Sequence, residues 1–375
     1  RDTSKRYRVF AAFSPDSRHF VMNKYDMSEV KELWVIDAVS EKRPKLEAYK
    51  YQMPGEPGPK TYTLLFDMEK KSYRHINVAA FKDQSIEVAY QPRKNKDIYK
   101  DYQSYQWLGG NDYFYLTRLS RDLHRVDVCK VTFGDDTART IIEERLNTYI
   151  ETRPLREVSK GKGLIQWSER NGWAHLYLYS SNGTLNNAIT KGAWHVEDVV
   201  AVDENARVIY FTAHGVNKKE NPYYAHLYRI NFDGTGMKLL NEGNFDNLTF
   251  ISDDAKFFVN SASRVDAIPT NALYDNNGKK IMDLETSDFS QLLMAGYKFP
   301  ETFTVKAADG VTDLHGVMYK PFDFDSTKVY PIIEYVYPGP QTEATNYSWS
   351  KGMDRIDRLA QLGFIVITVG NRGGH

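Results

Sequence analysis

Two stretches near the carboxyl end place reactive side chains where a sheet would present them. Tyr337 opens the run Tyr337-Pro338-Gly339-Pro340, directly after the nearly continuous apolar segment 330–336. A phenol at the carboxyl end of a buried parallel strand lies where open α/β sheets bind ligands, and its O–H can donate to a developing oxyanion. The plainer reading, an aromatic residue that ends a strand, fits the same residues. The second stretch is Val369-Gly370-Asn371-Arg372-Gly373-Gly374, a strand running into a glycine-rich loop with one arginine. Many strand-to-loop exits share that pattern.

Other chemistry is missing in motif form. The chain has no Gly-x-Ser-x-Gly elbow, no His-Glu-x-x-His, no phosphate loop and no Gly-x-Gly-x-x-Gly. No nucleophile, acid or base is therefore assigned within it, and no cofactor is expected. Nine histidines are thinly spread, with no pair at metal-ligand spacing beside a carboxylate, so no metal is expected. His124, His175, His195 and His226 fall in or beside expected strands and read as hydrogen-bonded structural residues. Glu143-Glu144, before Arg145, reads as a solvated strand end. The single Cys129 excludes an intrachain disulfide and any multi-cysteine metal site.

The elements that must position these residues are mostly strands. An apolar strand followed by an acidic or amide-rich turn recurs at Leu33, Leu64, Val126, Leu176, Leu227 and Leu273. Steps of 51 residues from Leu176 to Leu227 and 46 from Leu227 to Leu273 match the spacing of four-stranded β-propeller blades. Asn182-Gly183, Asp233-Gly234 and Asn277-Gly278 mark the turns, because tight hairpins need positive φ. A second element recurs out of phase: Ser14-Pro15-Asp16-Ser17 before Phe20-Val21, and Ser252-Asp253-Asp254-Ala255 before Phe258-Val259. Trp107 to Leu116 follows the same logic around Gly109-Gly110-Asn111. The stretch 150–163 reads as a loop between blades, and Pro54 to Lys60 as a rigid Pro/Gly loop. Lys94-Asn95-Lys96-Asp97 reads as a solvated charged turn.

The pattern changes after Lys280. Thr302–Val305 and His315–Tyr319 predict a hairpin around Asp309-Gly310. The segments 330–337 and 364–369 predict strands buried on both faces. Between them Met353, Ile356, Leu359 and Ala360 give a helical spacing that stops at Gly363. Strand–helix–strand with short links argues for a parallel sheet, so the domains are expected at 1–294, a partial β-propeller, and 295–375, the start of an α/β domain.

Composition closes off several function classes. With 49 Lys+Arg against 49 Asp+Glu in 375 residues, the chain lacks the basic excess of a nucleic-acid binder. At 41% hydrophobic and 14% aromatic residues it supports a sizeable core. No stretch of about 18 uninterrupted apolar residues reads as a membrane span. The polar opening Arg1–Arg6 carries no signal-peptide pattern. Asn182 and Asn247 sit in glycosylation-type triplets that read as plain turns.

Several strings together are similar to those of one family. Phe13–Ser17 through Tyr25–Val30, the loop Tyr51–Pro57, and above all Trp167-Ser168-Glu169-Arg170-Asn171-Gly172-Trp173-Ala174-His175-Leu176-Tyr177-Leu178-Tyr179 carry the likeness. Tyr210–Ala213, Asn221-Pro222, His226–Arg229, Tyr335–Pro340 and Asn371–Gly373 continue it. The chain resembles the dipeptidyl peptidase IV and prolyl oligopeptidase-type serine peptidases, especially the bacterial dipeptidyl peptidase IV-like members.

The resemblance implies a β-propeller followed by an α/β-hydrolase that removes amino-terminal dipeptides, or tripeptides, after Pro or Ala. It puts Tyr337 at the oxyanion-hole tyrosine, and Arg153, with Pro154 after it and with a one-residue gap in the alignment, at an arginine lining the extended substrate cleft. The family's serine elbow, acid and histidine would lie beyond His375, and its amine-anchoring glutamates before or around residue 1, so an inactive fragment is expected. Peptide substrates, a homodimer and a bacterial periplasmic or cell-envelope setting are further implications. A non-catalytic binding member of the family and a stand-alone propeller are the rival readings.

Overall fold

The computed structural model describes residues 10–91, 105–337, 345–349 and 355–372. The charged turn at 94–97, Pro338-Gly339-Pro340, Met353 and Gly373-Gly374 lie outside them. Two compact units divide the chain: residues 1–172 with 176–187, and residues 173–175 with 188–375.

The first unit holds three blade-type sheets. In the first, Ala12–Phe13, His19–Asp26, Lys60–Asp67 and Ser72–Ile76 pair in order, with Tyr105–Gln106 added in parallel beside Ala12–Phe13. Ser85–Val88, Tyr113–Leu119, Arg125–Thr132 and Ala138–Arg145 form the second, and Arg156–Val158, Gly163–Ser168, His175–Ser180 and Leu185–Ala188 the third. Val21, Leu65, Trp107, Phe114 and Val131 are buried between the first two, and Tyr115, Ile142, Leu164 and Tyr177 between the next two. The stretch expected as a loop over 150–163 thus contains the strand Arg156–Val158. Its turn is tightened by positive φ at Ser159, Lys160 and Gly161.

The second unit repeats the meander twice. His195–Asp203, Val208–His214, Ala225–Asn231 and Lys238–Leu239 make the fourth sheet. Asp246–Ile251, Phe257–Arg264, Ala267–Asp275 and Lys280–Thr286 make the fifth, packed on the fourth through Tyr210, Leu227, Leu240 and Phe258. The fold class is therefore mainly β, a partial β-propeller. The Leu64, Val126, Leu176, Leu227 and Leu273 copies each fall on the third strand of one sheet. The Leu33 copy does not. It belongs to a two-stranded hairpin, Glu32–Asp37 with Lys45–Lys50, inserted between the second and third strands of the first sheet.

The turns explain the repeat. Gly183 has φ +88°, and a Cβ there would lie 1.8 Å from the Ile141 carbonyl oxygen. Gly278, at φ +83°, would meet the Leu240 carbonyl at 2.7 Å. These two hairpin tips press on the outer edge of the preceding sheet, so glycine is required at both by conformation and by space. The Ser-x-Asp turns match as well: Ser14 accepts from the His19 N–H (3.0 Å) and Ser252 from the Phe257 N–H (3.1 Å). Ser17 and Ala255 both have positive φ.

After a short helix, Ser290–Met294, comes the sixth sheet, in the order Glu301–Lys306, Asp313–Tyr319, Ile365–Val369, Ile332–Glu334. The hairpin around Asp309-Gly310 forms as expected, and Ile332–Glu334 runs parallel to Ile365–Val369. The helix is Arg355–Ala360, and Gly363 follows with φ +97°. Among the described residues neither strand is covered on both faces. Ile332–Glu334 is the sheet edge, with Ile332 65% exposed, and Ile365–Val369 alternates between buried Val366 and Thr368 and half-buried neighbours. One face packs on Ile356 and Ala360; the other has no such cover among the described residues. These four strands and one helix begin an α/β sheet, and a complete α/β-hydrolase domain is not present among the described residues.

Candidate functional site

The sheet end in the second unit is built by register. Ile333 pairs with Val366 and Glu334 with Ile367, and the Tyr335 N–H donates to the Ile367 carbonyl at 2.9 Å. Tyr337 follows two residues on, past the carboxyl end of the strand, and is 63% exposed. At the end of the neighbouring strand the Gly370 N–H donates to the His315 carbonyl (2.8 Å). Arg372 pairs with Asp309 at 3.1 Å, which ties the strand exit to the hairpin tip. Asp309 also accepts from the Thr312 hydroxyl and from the Thr312 and Val311 N–H groups; these hydrogen bonds, with Arg372 nearby, hold its carboxyl far below the usual carboxylate range.

Arg153 lies in the first unit, on a cavity of about 920 Å³. That volume is in the range of ligand pockets. Its walls include Phe10, Tyr25, Tyr90 and Glu87 as well as Arg153. Phe10 packs edge-on to Tyr90 at 5.1 Å and lies 4.6 Å from Tyr105. Burial, then the neighbouring Tyr25 and Glu87, pushes the Tyr90 phenol up to about 12, so it stays a neutral donor. The Arg153 guanidinium binds Glu151 at 2.8 Å and lies 5.5 Å from the centre of the Trp167 ring. Such pairing fixes the fork and leaves its charge partly offset. Sequence reading found the arginine and missed the aromatic wall, whose residues are scattered from 10 to 90. Glu151, two residues before Arg153, was the one local signal.

The other singled-out residues are structural in most cases. His175 is buried between the Thr190 hydroxyl (3.0 Å) and the Gly192 carbonyl (2.9 Å). His226 pairs with Glu220 at 2.8 Å and lies 3.1 Å from the Asn241 carbonyl. The His124 N–H bonds Asp122 at 3.2 Å. His195 faces Glu197 at 3.3 Å, and His214 approaches the same carboxylate at 3.9 Å, a grouping that sequence spacing did not reveal. Among the described residues no group of three or more His, Cys, Asp or Glu is placed to hold a metal. Cys129 is buried, and burial raises its thiol to about 11.

Two expectations are corrected. Glu144 is not a solvated strand end: it is buried, bonded to Ser168 and to Gln166 (3.1 Å), with Arg170 at 3.8 Å, and burial raises its carboxyl pKa. Glu143, on the opposite face, is the exposed one. Asn247 is no turn either. It is buried in a strand with its amide donating to Ala225 and Phe245 and accepting from Asn260, which leaves no room for a glycan.

No described helix is long and apolar enough to cross a membrane. Comparison with known proteins supplies the family. The sequence model described as "Dipeptidyl peptidase IV (DPP IV) N-terminal region" matches residues 7–269. A dipeptidyl peptidase 4 of Arthroderma otae is 25% identical over 314 residues, covering 80% of this chain and 39% of the relative. Human dipeptidyl peptidase 8 is 30% identical over 200 residues, half of this chain and 22% of that one. In fold, the chain is similar to the crystal structure of Porphyromonas gingivalis dipeptidyl peptidase 4, with a TM-score of 0.77, 20% identity and coverage of 97% of this chain and 49% of that one. A chain from Bacteroides ovatus described as a dipeptidyl aminopeptidase IV gives a TM-score of 0.78 at 22% identity, covering 98% and 52%. The chain spans about 39% of the length of that fungal relative and about half of these solved chains. With more than half its residues matched, the chain belongs to the dipeptidyl peptidase IV family, in that family's amino-terminal region.

Proposed function

We propose that residues 1–294 are propeller and 295–375 the opening of the catalytic domain of a serine-type exopeptidase that removes amino-terminal dipeptides, or tripeptides, after Pro or Ala. The observation that carries this is the position of Tyr337, a largely exposed residue just beyond a parallel strand end, in a chain of this family. In this mechanism a serine Oγ attacks the scissile carbonyl and histidine takes its proton. The tetrahedral oxyanion is held by the Tyr337 O–H and by the backbone N–H after the serine. Arg153 lines the peptide cleft, where its pairing with Glu151 presents a fixed donor fork. The serine, acid and histidine are not assigned in this chain, so chain 1–375 hydrolyses nothing.

The test uses Gly-Pro and Ala-Pro chromogenic substrates. Chain 1–375 should release no product, while a polypeptide continuing into the triad should. There, Tyr337→Phe should lower kcat about 10²–10³-fold with little change in KM, as loss of one oxyanion donor does. Cleavage by purified chain 1–375 would sink the proposal. The second reading, a binding member without chemistry, is favoured by the cavity beside Arg153, which needs no serine to hold a peptide. It predicts peptide binding by the continued polypeptide with no turnover.

The partner proposed besides peptide is a second copy. Trp34 and Ile36 pair with Ala48 and Leu46 on one face of the inserted hairpin. Trp34 and Ile36 are each 68% exposed and Leu46 is 62% exposed. Two strands alone are marginal in water, so that face gains by being covered.

A further inference from the structure

Residues 345–349 are gripped from two sides. Towards the fifth sheet, the Val265 N–H donates to the Tyr347 carbonyl (2.9 Å) and the Trp349 N–H to the Ser263 hydroxyl (3.0 Å). The Ser348 hydroxyl donates to Asp246 Oδ2 at 2.6 Å, a short charge-assisted bond. Asp246 and Ser263 are themselves a register pair across two strands, and Asp246 Oδ1 also accepts from the Ala225 N–H (3.0 Å). Towards the sixth sheet, the Tyr347 hydroxyl donates to the His315 carbonyl (3.3 Å) and the Thr368 hydroxyl to that of Thr345 (2.7 Å).

This is not a wet surface contact. Thr345 and Tyr347 are each 6% exposed, Ser263 8% and Thr368 0%. Tyr223 stacks on Tyr347 at 4.9 Å, and the Trp349 indole N–H donates to the Tyr297 hydroxyl at 2.9 Å. Polar bonds buried in this way rigidify the groups they join.

The location gives the grip its use. Thr368 lies on the strand whose neighbour Ile367 bonds Tyr335, two residues before Tyr337. The chain thus leaves the sixth sheet after Tyr335, two residues before Tyr337, and is held again, at Thr345, against that same strand. We propose that 345–349 is a strut anchoring the Tyr337 strand end to the fifth sheet, with Asp246, Ser348 and Thr345 as positioning residues for the tyrosine hydroxyl. The assignment rests on the reading of Tyr337 given above. None of the three touches substrate; each acts by fixing where the phenol stands, and donor placement within an ångström governs rate.

Amide hydrogen exchange on chain 1–375 is the first measurement, because it needs no activity. Ser348→Ala and Asp246→Asn should each quicken exchange about tenfold at Tyr335, Ile365 and Gly370, whose N–H groups are all bonded across this sheet. Ser348→Thr, which keeps the hydroxyl, should exchange like the parent. Ser348→Ala removes only one hydroxyl, so the result does not depend on Asp246→Asn folding. Acceleration confined to 345–349 overturns the strut. In the polypeptide continuing into the triad, Ser348→Ala should lower kcat about tenfold at constant KM, and Ser348→Thr should restore it. If Tyr337→Phe lowers kcat and Ser348→Ala does not, the positioning role is overturned. If Tyr337→Phe leaves kcat unchanged, the reading of Tyr337 fails, and exchange alone decides the strut.

Discussion

His175 shows how one side chain makes the fold sensitive to acid. Its ring is edge-on to Trp194 at 4.9 Å, with one nitrogen against the Thr190 hydroxyl and the other against the Gly192 carbonyl. That arrangement suits a neutral imidazole donating to Gly192 and accepting from Thr190. Burial is the main reason its pKa falls below the ordinary histidine value, and burial lowers that of His214 as well. The unfolded chain therefore takes up these protons at a higher pH than the fold does. Stability from the neutral rings is present above the ordinary imidazole pKa and is lost as pH falls through the depressed one. Thermal melts from pH 7.5 to 5.5 should show a falling midpoint. His175→Gln should cost about 1–2 kcal/mol at pH 7.5 and then lose less on acidification, because each proton accounts for at most about 1.4 kcal/mol per pH unit. A variant with the parent's acid slope would show that His175 carries none of it.

At the scale of elements, turn chemistry decides what was readable. The third-strand signature and its Asx-Gly turn were legible because both causes are local: alternation along the strand and positive φ at the tip. The close approach of Gly183 to Ile141 was not, since it depends on a neighbouring sheet 42 positions away in sequence. The same limit hid the strand Arg156–Val158, which is only three residues long, and the insertion of the Leu33 hairpin. Among the described residues Ile332–Glu334 is the last strand of its sheet, a position that apolar composition along 330–337 does not show. Glu144 and Asn247 were misread for a related reason: the partners that make their burial tolerable, Ser168 and Asn260, lie on other strands. Glycine substitution separates the two causes. Gly134 has φ +92° with nothing near a Cβ, so Gly134→Ala should cost about 1–2 kcal/mol from backbone conformation alone. Gly183→Ala adds a collision with the Ile141 carbonyl and should cost at least twice that in urea unfolding. Equal losses would mean that the hairpin tip does not press on the preceding sheet.

At the scale of the molecule, family and fold class were legible well before any site. Long strings such as Trp167–Tyr179 carry the family, whereas the cavity around Arg153 draws its walls from segments far apart. Among the described residues three apolar surfaces are at least partly exposed, and one of them is the surface proposed to meet a second copy. The first sheet carries an aromatic row, with Phe13 and Phe20 5.5 Å apart, Phe20 and Phe66 stacked at 4.5 Å, and Phe66 and Tyr73 at 5.4 Å. The fifth sheet aligns Phe250, Val259, Leu273 and Met282 across four strands. Both rows lie on sheets of four or more strands with a buried opposite face, so those sheets are already stable. The hairpin has no second layer among the described residues, and its Trp34–Ile36–Leu46 face is the one whose burial stabilises the element that bears it. Sedimentation should therefore show a concentration-dependent dimer that Trp34→Glu shifts to monomer by about tenfold or more in Kd, as loss of a central aromatic does. Phe250→Ser, on the fifth sheet, should leave the equilibrium unchanged. The reverse pattern would move the interface to the fifth sheet and leave the hairpin without its proposed partner.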